Sequence, residues 1–180
     1  RRPTPIYWHD PEQLPHGSLQ NWFYTQNSDD PDIIRAREER AEILAIEVPP
    51  VSSEPVQQTA QHWTSQLGDH VATLDMELFG ITAFRPEWAF EGANITQKWV
   101  IMIGIAHDYQ RISKAPALSA GAEVVRQYGR GTKAAKDIAS WIRQRGWDAT
   151  PHGGPMAGPL LLIPPAIECG FGELGKHGSI

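Results

Sequence analysis

The chain has 180 residues, of which 41% are hydrophobic and 21% are charged. This length and composition are typical of one globular domain that is long enough to bury a core. The net charge of −5, with no basic cluster, argues against a nucleic-acid partner. No apolar run reaches the roughly 18 residues of a membrane span. The single cysteine, Cys169, excludes an internal disulfide and any iron–sulfur site built from this chain's cysteines alone.

Residues 1–31 are rich in proline and aromatic side chains and show no hydrophobic period. The prolines forbid long helices here, so the composition predicts a surface arm. Five aromatic residues are expected to pin it: Tyr7, Trp8, Trp22, Phe23 and Tyr24. Residues 32–47 then predict a partly amphipathic helix, which Pro49 and Pro50 stop. We therefore expect residues 1–54 to form an N-terminal arm and helix, and residues 55–180 to form the main domain.

The main domain is expected to begin with a helix over residues 53–67, ended by Gly68. Two strands follow, over residues 74–84 and 99–106. The second strand is almost continuously apolar, which is typical of a strand at the centre of a sheet with helices on both faces. Together with the helices that follow, these elements predict an α+β fold in which helices flank a layered sheet.

The second strand leads directly into His107, Asp108 and Tyr109. Loops that leave strand ends are where layered folds place ligands and catalytic side chains. Tyr109 is therefore a candidate site residue, and the alternative is a tyrosine whose hydroxyl anchors the loop. His107 and Asp108 have no further ligand at a metal-binding spacing nearby, so the sequence predicts no metal site.

A long helix is predicted over residues 118–145, interrupted by the glycine-bearing stretch 128–133. Gly129 and Gly131 would let a flat or bulky partner approach the backbone closely, although a helix pinched against a neighbour would need the same glycines. The order Gly-Lys-Ser/Thr of a phosphate loop is absent, which argues against a nucleoside triphosphate site. A short strand over residues 147–150 and an apolar segment over residues 160–167 follow.

The C-terminal stretch carries four glycines within nine residues: Gly170, Gly172, Gly175 and Gly178. Glycines at this density predict a shaped loop, and Glu173, Lys176 and His177 place ionisable groups in it. The alternative is a glycine-rich helix exit with solvated charges. Cys169, at the end of an apolar helix-like run, is interpreted as a buried, inert thiol rather than a nucleophile.

Three stretches of the sequence resemble the cobalamin-dependent reductive dehalogenases. They are Gln127-Tyr-Gly-Arg-Gly, the stretch 134–149, and Pro-Ala-Ile-Glu-Cys-Gly-Phe-Gly-Glu-Leu-Gly-Lys-His-Gly over residues 165–178. The resemblance covers roughly residues 55–180, with its specific motifs in the second half. The epoxyqueuosine reductases are similar more distantly, and Thr-Lys-Ala-Ala after Gly131 departs from the Asp-Tyr-His typical of that branch.

The resemblance implies a nitroreductase-like domain that holds a corrinoid, cobalamin in its base-off form. It implies that Tyr109 is the proton donor and Lys176 its basic partner, since a nearby cation lowers the pKa of a phenol from about 10. The residues expected to bind the cofactor are Tyr128, Gly129, Gly131, Gly170, Gly172, Gly175 and His177.

The resemblance also implies 4Fe–4S clusters, which this chain's single cysteine cannot hold, so we expect them in a segment absent from this chain. Electrons would come from a donor protein or from a fused iron–sulfur domain. The expected function is reductive dehalogenation of an organohalide; the alternatives are an epoxyqueuosine-reductase-like enzyme and a non-catalytic corrinoid-binding fragment. Because no apolar stretch follows Arg1-Arg2, a cytoplasmic location is favoured over an exported, membrane-associated one, although a removed signal would leave no trace.

Overall fold

A computed structural model of the chain describes residues 2–4, 12, 17–18, 21, 29–154, 158–176 and 178–180. The aromatic residues of the predicted arm and His177 lie outside the described residues. The helices are α1 (Pro31–Ala45), α2 (Ala60–Val71), α3 (Tyr109–Ile112), α4 (Leu118–Arg143) and α5 (Ile163–Glu168), and the strands are β1 (Leu78–Ala83) and β2 (Trp99–Gly104). A short 3-10 helix, Pro86–Trp88, lies between the strands. None of the helices in these ranges is long and apolar enough to cross a membrane.

Helix α1 confirms the helix predicted over residues 32–47. Asp30 caps it by accepting hydrogen bonds from the backbone N–H groups of Asp32 and Ile33, at 2.9 and 3.2 Å, with a proline as its first residue. Its buried residues Ile33 and Ala36 pack against Ala122 of α4. The small residues at this contact let the two helices approach closely.

Asp32 joins α1 to two other helices. Its carboxylate accepts hydrogen bonds from Arg126 of α4 and, at 3.3 Å, from Arg111 of α3. The hydrogen bond from Arg126, followed by that from Arg35, lowers the pKa of Asp32 from 3.8 to about 2. Because the folded pKa lies below the ordinary value, this contact stabilises the fold above about pH 4 and is lost as the pH falls through the folded value.

Helix α2 begins and ends later than predicted. Thr59, rather than Ser53, is its cap and accepts a hydrogen bond from the backbone N–H of His62 at 3.2 Å. The residues expected to open the helix instead run alongside the end of α4, where Val56 N donates to Arg145 O at 3.0 Å. Gly68 lies inside the helix and does not end it.

The two strands pair in antiparallel register, with Leu78 opposite Gly104 and Ala83 opposite Trp99. The apolar residues of one face, which include Phe79, Ile101 and Ile103, pack on a core of α2 and α4 residues. That core consists of Leu67, Val71, Ile138 and Trp141. Helix α5 contacts both strands.

This arrangement confirms the α+β class and explains why β2 is apolar on both faces. The prediction that β2 is central was wrong for the part of the chain that the structure describes, where the sheet has two strands. Two helical layers are enough to require apolar residues on both faces, because coverage of the faces does not depend on neighbours at the strand edges.

Helix α4 runs without interruption for 26 residues, so the break predicted over residues 128–133 is wrong. The two glycines of this stretch lie at close packing contacts instead. A Cβ on Gly129 would lie 3.3 Å from Ile43 Cδ1 of α1, and one on Gly131 would lie 3.5 Å from Ile105 Cγ1 just after β2. The strand predicted over residues 147–150 is irregular backbone, which Arg143 holds by donating from Nε to Ala149 O at 2.9 Å.

Gly80 of β1 lies against the end of α5. A Cβ on Gly80 would lie only 2.5 Å from Cβ and 2.8 Å from Sγ of Cys169. Cys169 is half-buried, and burial followed by the charge of Glu168 raises the pKa of its thiol. These observations favour the inert, packed cysteine over a nucleophile.

We expect Gly80→Ala to lower the free energy of unfolding by about 1–3 kcal/mol, because the added methyl overpacks the contact between β1 and α5. Gly68→Ala is the matched control, since nothing lies within 4 Å of its Cβ position. In a helix interior that change should stabilise by about 0.5–1 kcal/mol. Urea unfolding of both variants measures the difference. Adding Cys169→Gly to Gly80→Ala should recover part of the loss, and no recovery would mean that Cys169 is not the clashing residue.

Candidate functional site

Two side chains hold the backbone that follows β2. One belongs to Glu77, the residue just before β1, and the other to Arg130 of α4. Ala106 N donates to Glu77 Oε2 at 2.7 Å, and Arg130 Nη1 donates to Ala106 O at 3.3 Å. Both polar groups of this residue are therefore satisfied by charged partners. The segment leaves the strand in a defined direction.

Arg130 is the centre of this network. Its guanidinium donates to both carboxylate oxygens of Asp75, at 2.8 and 2.7 Å, and to Glu77 Oε1 at 2.8 Å. These hydrogen bonds lower the pKa values of Asp75 and Glu77 and raise that of Arg130. All three groups are therefore charged at neutral pH. The sequence analysis missed this role, since the partners lie 53 and 55 residues away along the chain.

Glu123 of α4 holds the next part of the segment by hydrogen bonds. The residue is only 2% exposed, and its Oε1 accepts hydrogen bonds from Asp108 N and from Gln127 Nε2, both at 2.6 Å. His107 Nδ1 lies 3.8 Å from the same oxygen. Glu123, too, was not among the residues predicted from the sequence. The available signal was a glutamate on the buried face of a predicted helix, with a glutamine one turn later.

Tyr109 is thereby presented to solvent. Asp108 caps α3 by accepting from Gln110 N and Arg111 N, at 2.8 and 3.3 Å, and Tyr109 is the first residue of that helix. Its side chain is 74% exposed. Within the described residues its hydroxyl makes no hydrogen bond, so the backbone and Glu123 anchor the segment and the tyrosine hydroxyl does not.

The glycine loop turns at glycines, as the shaped-loop prediction requires, and its Glu173 and Lys176 are exposed, as the alternative of a helix exit with solvated charges requires. It leaves α5 through Gly170 with a φ of 77°, and Gly175 N donates to Ser179 O at 2.7 Å. Lys176 is exposed at this turn and has no ion pair in the described part of the chain. No hydrogen bond joins it to Tyr109 there, so the predicted pairing of the two residues stays a prediction.

An open groove of about 390 Å³ connects these two segments along the sheet face covered by α5. Its walls are mostly aliphatic, with one aromatic ring and one carboxylate. The lining comprises Glu77, Leu78, Met102, Ile103, Gly104, Ile105, Ala106, Leu162, Ile163, Ala166, Phe171 and Ile180. Ile105 and Ala106, which follow β2, line the groove. Phe171 and Ile180 line it from the C-terminal loop. This groove is the candidate ligand site.

None of the predicted cofactor residues that the structure describes lines the groove. Gly131 lies behind it, against Ile105, and a Cβ on Gly172 would lie 3.6 Å from Ile180. Tyr128 and Gly129 are on α4, where Gly129 faces α1. Their binding roles stay predictions. Among the residues described, no group of three or more His, Cys, Asp or Glu side chains could hold a metal ion.

The curated proteins that are similar to this chain include two whose organisms differ. A tetrachloroethene reductive dehalogenase of Dehalobacter restrictus is 32% identical over 105 residues, which is 58% of this chain and 18% of that protein. A protein of the same name from Desulfitobacterium hafniense is 31% identical with the same coverage. The chain matches no family model. The resemblance to reductive dehalogenases is thus confirmed, and the chain spans about a fifth of the length of these relatives.

Proposed function

We propose that this chain forms part of a reductive dehalogenase and supplies one wall of its corrinoid and organohalide site. The observation that carries the proposal is the 32% identity to a tetrachloroethene reductive dehalogenase over 105 residues. The open apolar groove, whose lining includes Ala106 on the segment that leads to the exposed Tyr109, supports it. The reaction replaces halide with hydrogen: R–X, two electrons and one proton give R–H and X⁻.

The groove suits part of a large, flat, mostly apolar ligand. Leu162, Ile163 and Phe171 would pack against such a ring system, while the glycine loop lets the backbone come close to it. A base-off corrinoid, when bound, supplies the strongly reducing centre. Its electrons would come from 4Fe–4S clusters of a donor protein or a fused iron–sulfur domain.

The proton is the part of the reaction that this chain's own residues would deliver. Tyr109 presents a hydroxyl with no competing hydrogen-bond acceptor among the described residues, on a segment fixed by Glu123 and Arg130. A fixed acid near the reacting carbon can donate in the transition state. Lys176 would favour the resulting phenolate or the departing halide by its positive charge.

An absorption titration tests the site without requiring turnover. We expect hydroxocobalamin and, under anaerobic conditions, cob(II)alamin to bind the purified chain saturably with a base-off spectrum. Leu162→Asp should weaken binding by about tenfold or more, because it places a charge on the apolar wall. The matched control is Leu118→Asp, which changes an equally exposed leucine away from the groove and should alter the Kd by less than about twofold.

The outcomes of this titration separate the alternatives. If Leu162→Asp lost the base-off spectrum while Leu118→Asp kept it, the groove would be supported as the corrinoid site. Binding that both variants weaken equally would place the corrinoid elsewhere on the chain. An unchanged free-corrinoid spectrum at every concentration would contradict the proposal for this chain.

A further inference from the structure

A second cavity, of about 200 Å³, lies between α1 and α4 and shares no lining residue with the groove. Three arginines and one glutamate are among its lining residues: Arg40, Arg126, Arg130 and Glu39. Arg126 and Arg130 are paired with carboxylates, so Arg40 is the arginine of this cavity that has no ion pair among the described residues. Its unpaired charge gives the cavity a place for an anion.

Two guanidinium nitrogens of this cluster have unused hydrogen-bonding capacity. Arg40 Nε and Arg126 Nη1 are buried and have no hydrogen-bond partner in the part of the chain that the structure describes. Arg126 and Arg130 already carry carboxylate partners, in Asp32 and in the Asp75–Glu77 pair. Arg40 forms no ion pair within the described residues. Buried donors in native proteins are nearly always satisfied, so an acceptor is expected here.

The backbone around Arg40 leaves room for a ligand and restrains the side chain. Gly129 contributes no side chain to the cavity wall, and its Cβ position lies 3.9 Å from Arg40 Cα. On the other side, a Cβ on Gly154 would lie 3.0 Å from Arg40 Nη2. The guanidinium is thus held next to a glycine backbone. A restrained planar fork binds an oxyanion with little further loss of freedom.

We propose that this cavity binds a phosphate group, held by Arg40 and Arg126. Arginine forks match the geometry of phosphate oxygens, which accept several hydrogen bonds at once. A cavity of about 200 Å³ also exceeds the roughly 30 Å³ share of a single water several-fold. The proposal does not depend on the corrinoid site, because the two cavities have separate linings.

Isothermal titration of inorganic phosphate into the 180-residue chain in low-salt buffer tests this site, with sodium chloride as the ionic-strength control. We expect saturable binding of one phosphate. Arg40→Gln should weaken it by at least about tenfold, since it removes a charged hydrogen-bond donor. Arg37→Gln removes the same charge from the exposed face of the same helix and should change the Kd by less than about twofold.

Adenosine 5′-monophosphate distinguishes the source of the phosphate. Tighter binding than inorganic phosphate would show that the group arrives attached to an organic molecule, and weaker binding would show a site for the free ion. Arg40→Lys keeps the charge but loses the fork, so it should bind about threefold or more weakly even if Arg40→Gln fails to fold. Phosphate binding no stronger than chloride, or equal to wild type in Arg40→Lys, would overturn the proposal and indicate a water-filled crevice.

Discussion

Under the proposed function, replacing Tyr109 with phenylalanine should lower the rate of organohalide reduction by at least about a hundredfold, because a positioned general acid contributes about 10²–10⁴-fold. The change removes one hydroxyl and keeps the ring. That hydroxyl makes no hydrogen bond within the described residues, and Tyr109 is 74% exposed, so the fold should not depend on it. The measurement is turnover of the corrinoid-loaded enzyme under a chemical reductant.

Two controls separate the loss of a proton donor from a loss of structure. Gln110→Ala truncates the next exposed side chain of the same short helix and should leave turnover within about twofold of wild type. The corrinoid absorption spectrum and Kd of Tyr109→Phe should equal those of the wild type. Full activity in Tyr109→Phe would remove this residue from the mechanism, and loss of corrinoid binding would give it a structural role instead.

Apolar periodicity was enough to predict most of the elements around this site. The second strand and α1 lie close to where composition placed them, whereas the first strand begins at Leu78, four residues after its predicted start. Each is a local response to proline or to an apolar run. The end of α2 and the continuity of α4 were not predictable in this way. Gly68 and Gly129 lie inside helices whose remaining hydrogen bonds and tertiary contacts outweigh a helix propensity penalty of about 1 kcal/mol each.

Arg130 and Glu123, which position the segment of Tyr109, could not be predicted from the sequence for a different reason. Arg130 reaches Asp75 and Glu77 across more than 50 residues, and Glu123 reaches the backbone of Asp108 across 15. Such contacts depend on how β2 crosses α4, and no local spacing encodes that crossing. The resemblance motif included Arg130, but the predicted helix was interrupted over residues 128–133, which hid the side of the helix on which Arg130 lies.

Helix α4 holds the segment after β2 and also lines the arginine crevice, and Gln127 and Arg130 take part in both. Glu123, Gln127 and Arg130 recur at the i, i+4, i+7 spacing of one helix face, and all three bind the segment after β2 or one another. Arg126 and Gly129 belong to the face that meets α1. An uninterrupted helix holds these two faces at a fixed angle. The groove and the arginine crevice are therefore positioned by the same rigid element, and the buried glutamate is its main link to the tyrosine.

Glu123→Ala should accordingly lower the free energy of unfolding by about 3 kcal/mol. The change removes the carboxylate oxygen that accepts two hydrogen bonds, so that Asp108 N and Gln127 Nε2 lose their acceptor. Glu123→Gln keeps an oxygen in place and should cost about 1 kcal/mol. Urea denaturation measures both. Amide hydrogen exchange at residues 106–112 should accelerate in Glu123→Ala, because the segment that carries Tyr109 loses its buried anchor.

Glu38→Ala is the matched control, because it removes a carboxylate from the exposed face of α1. That change should alter stability by less than about 0.5 kcal/mol and leave exchange at residues 106–112 unchanged. If Glu123→Ala proved no more destabilising than Glu38→Ala, the hydrogen bonds of the buried carboxylate would contribute no more free energy than its desolvation costs. Faster exchange without a stability change would still make Glu123 the residue that positions Tyr109, whereas normal exchange would leave that task to Arg130.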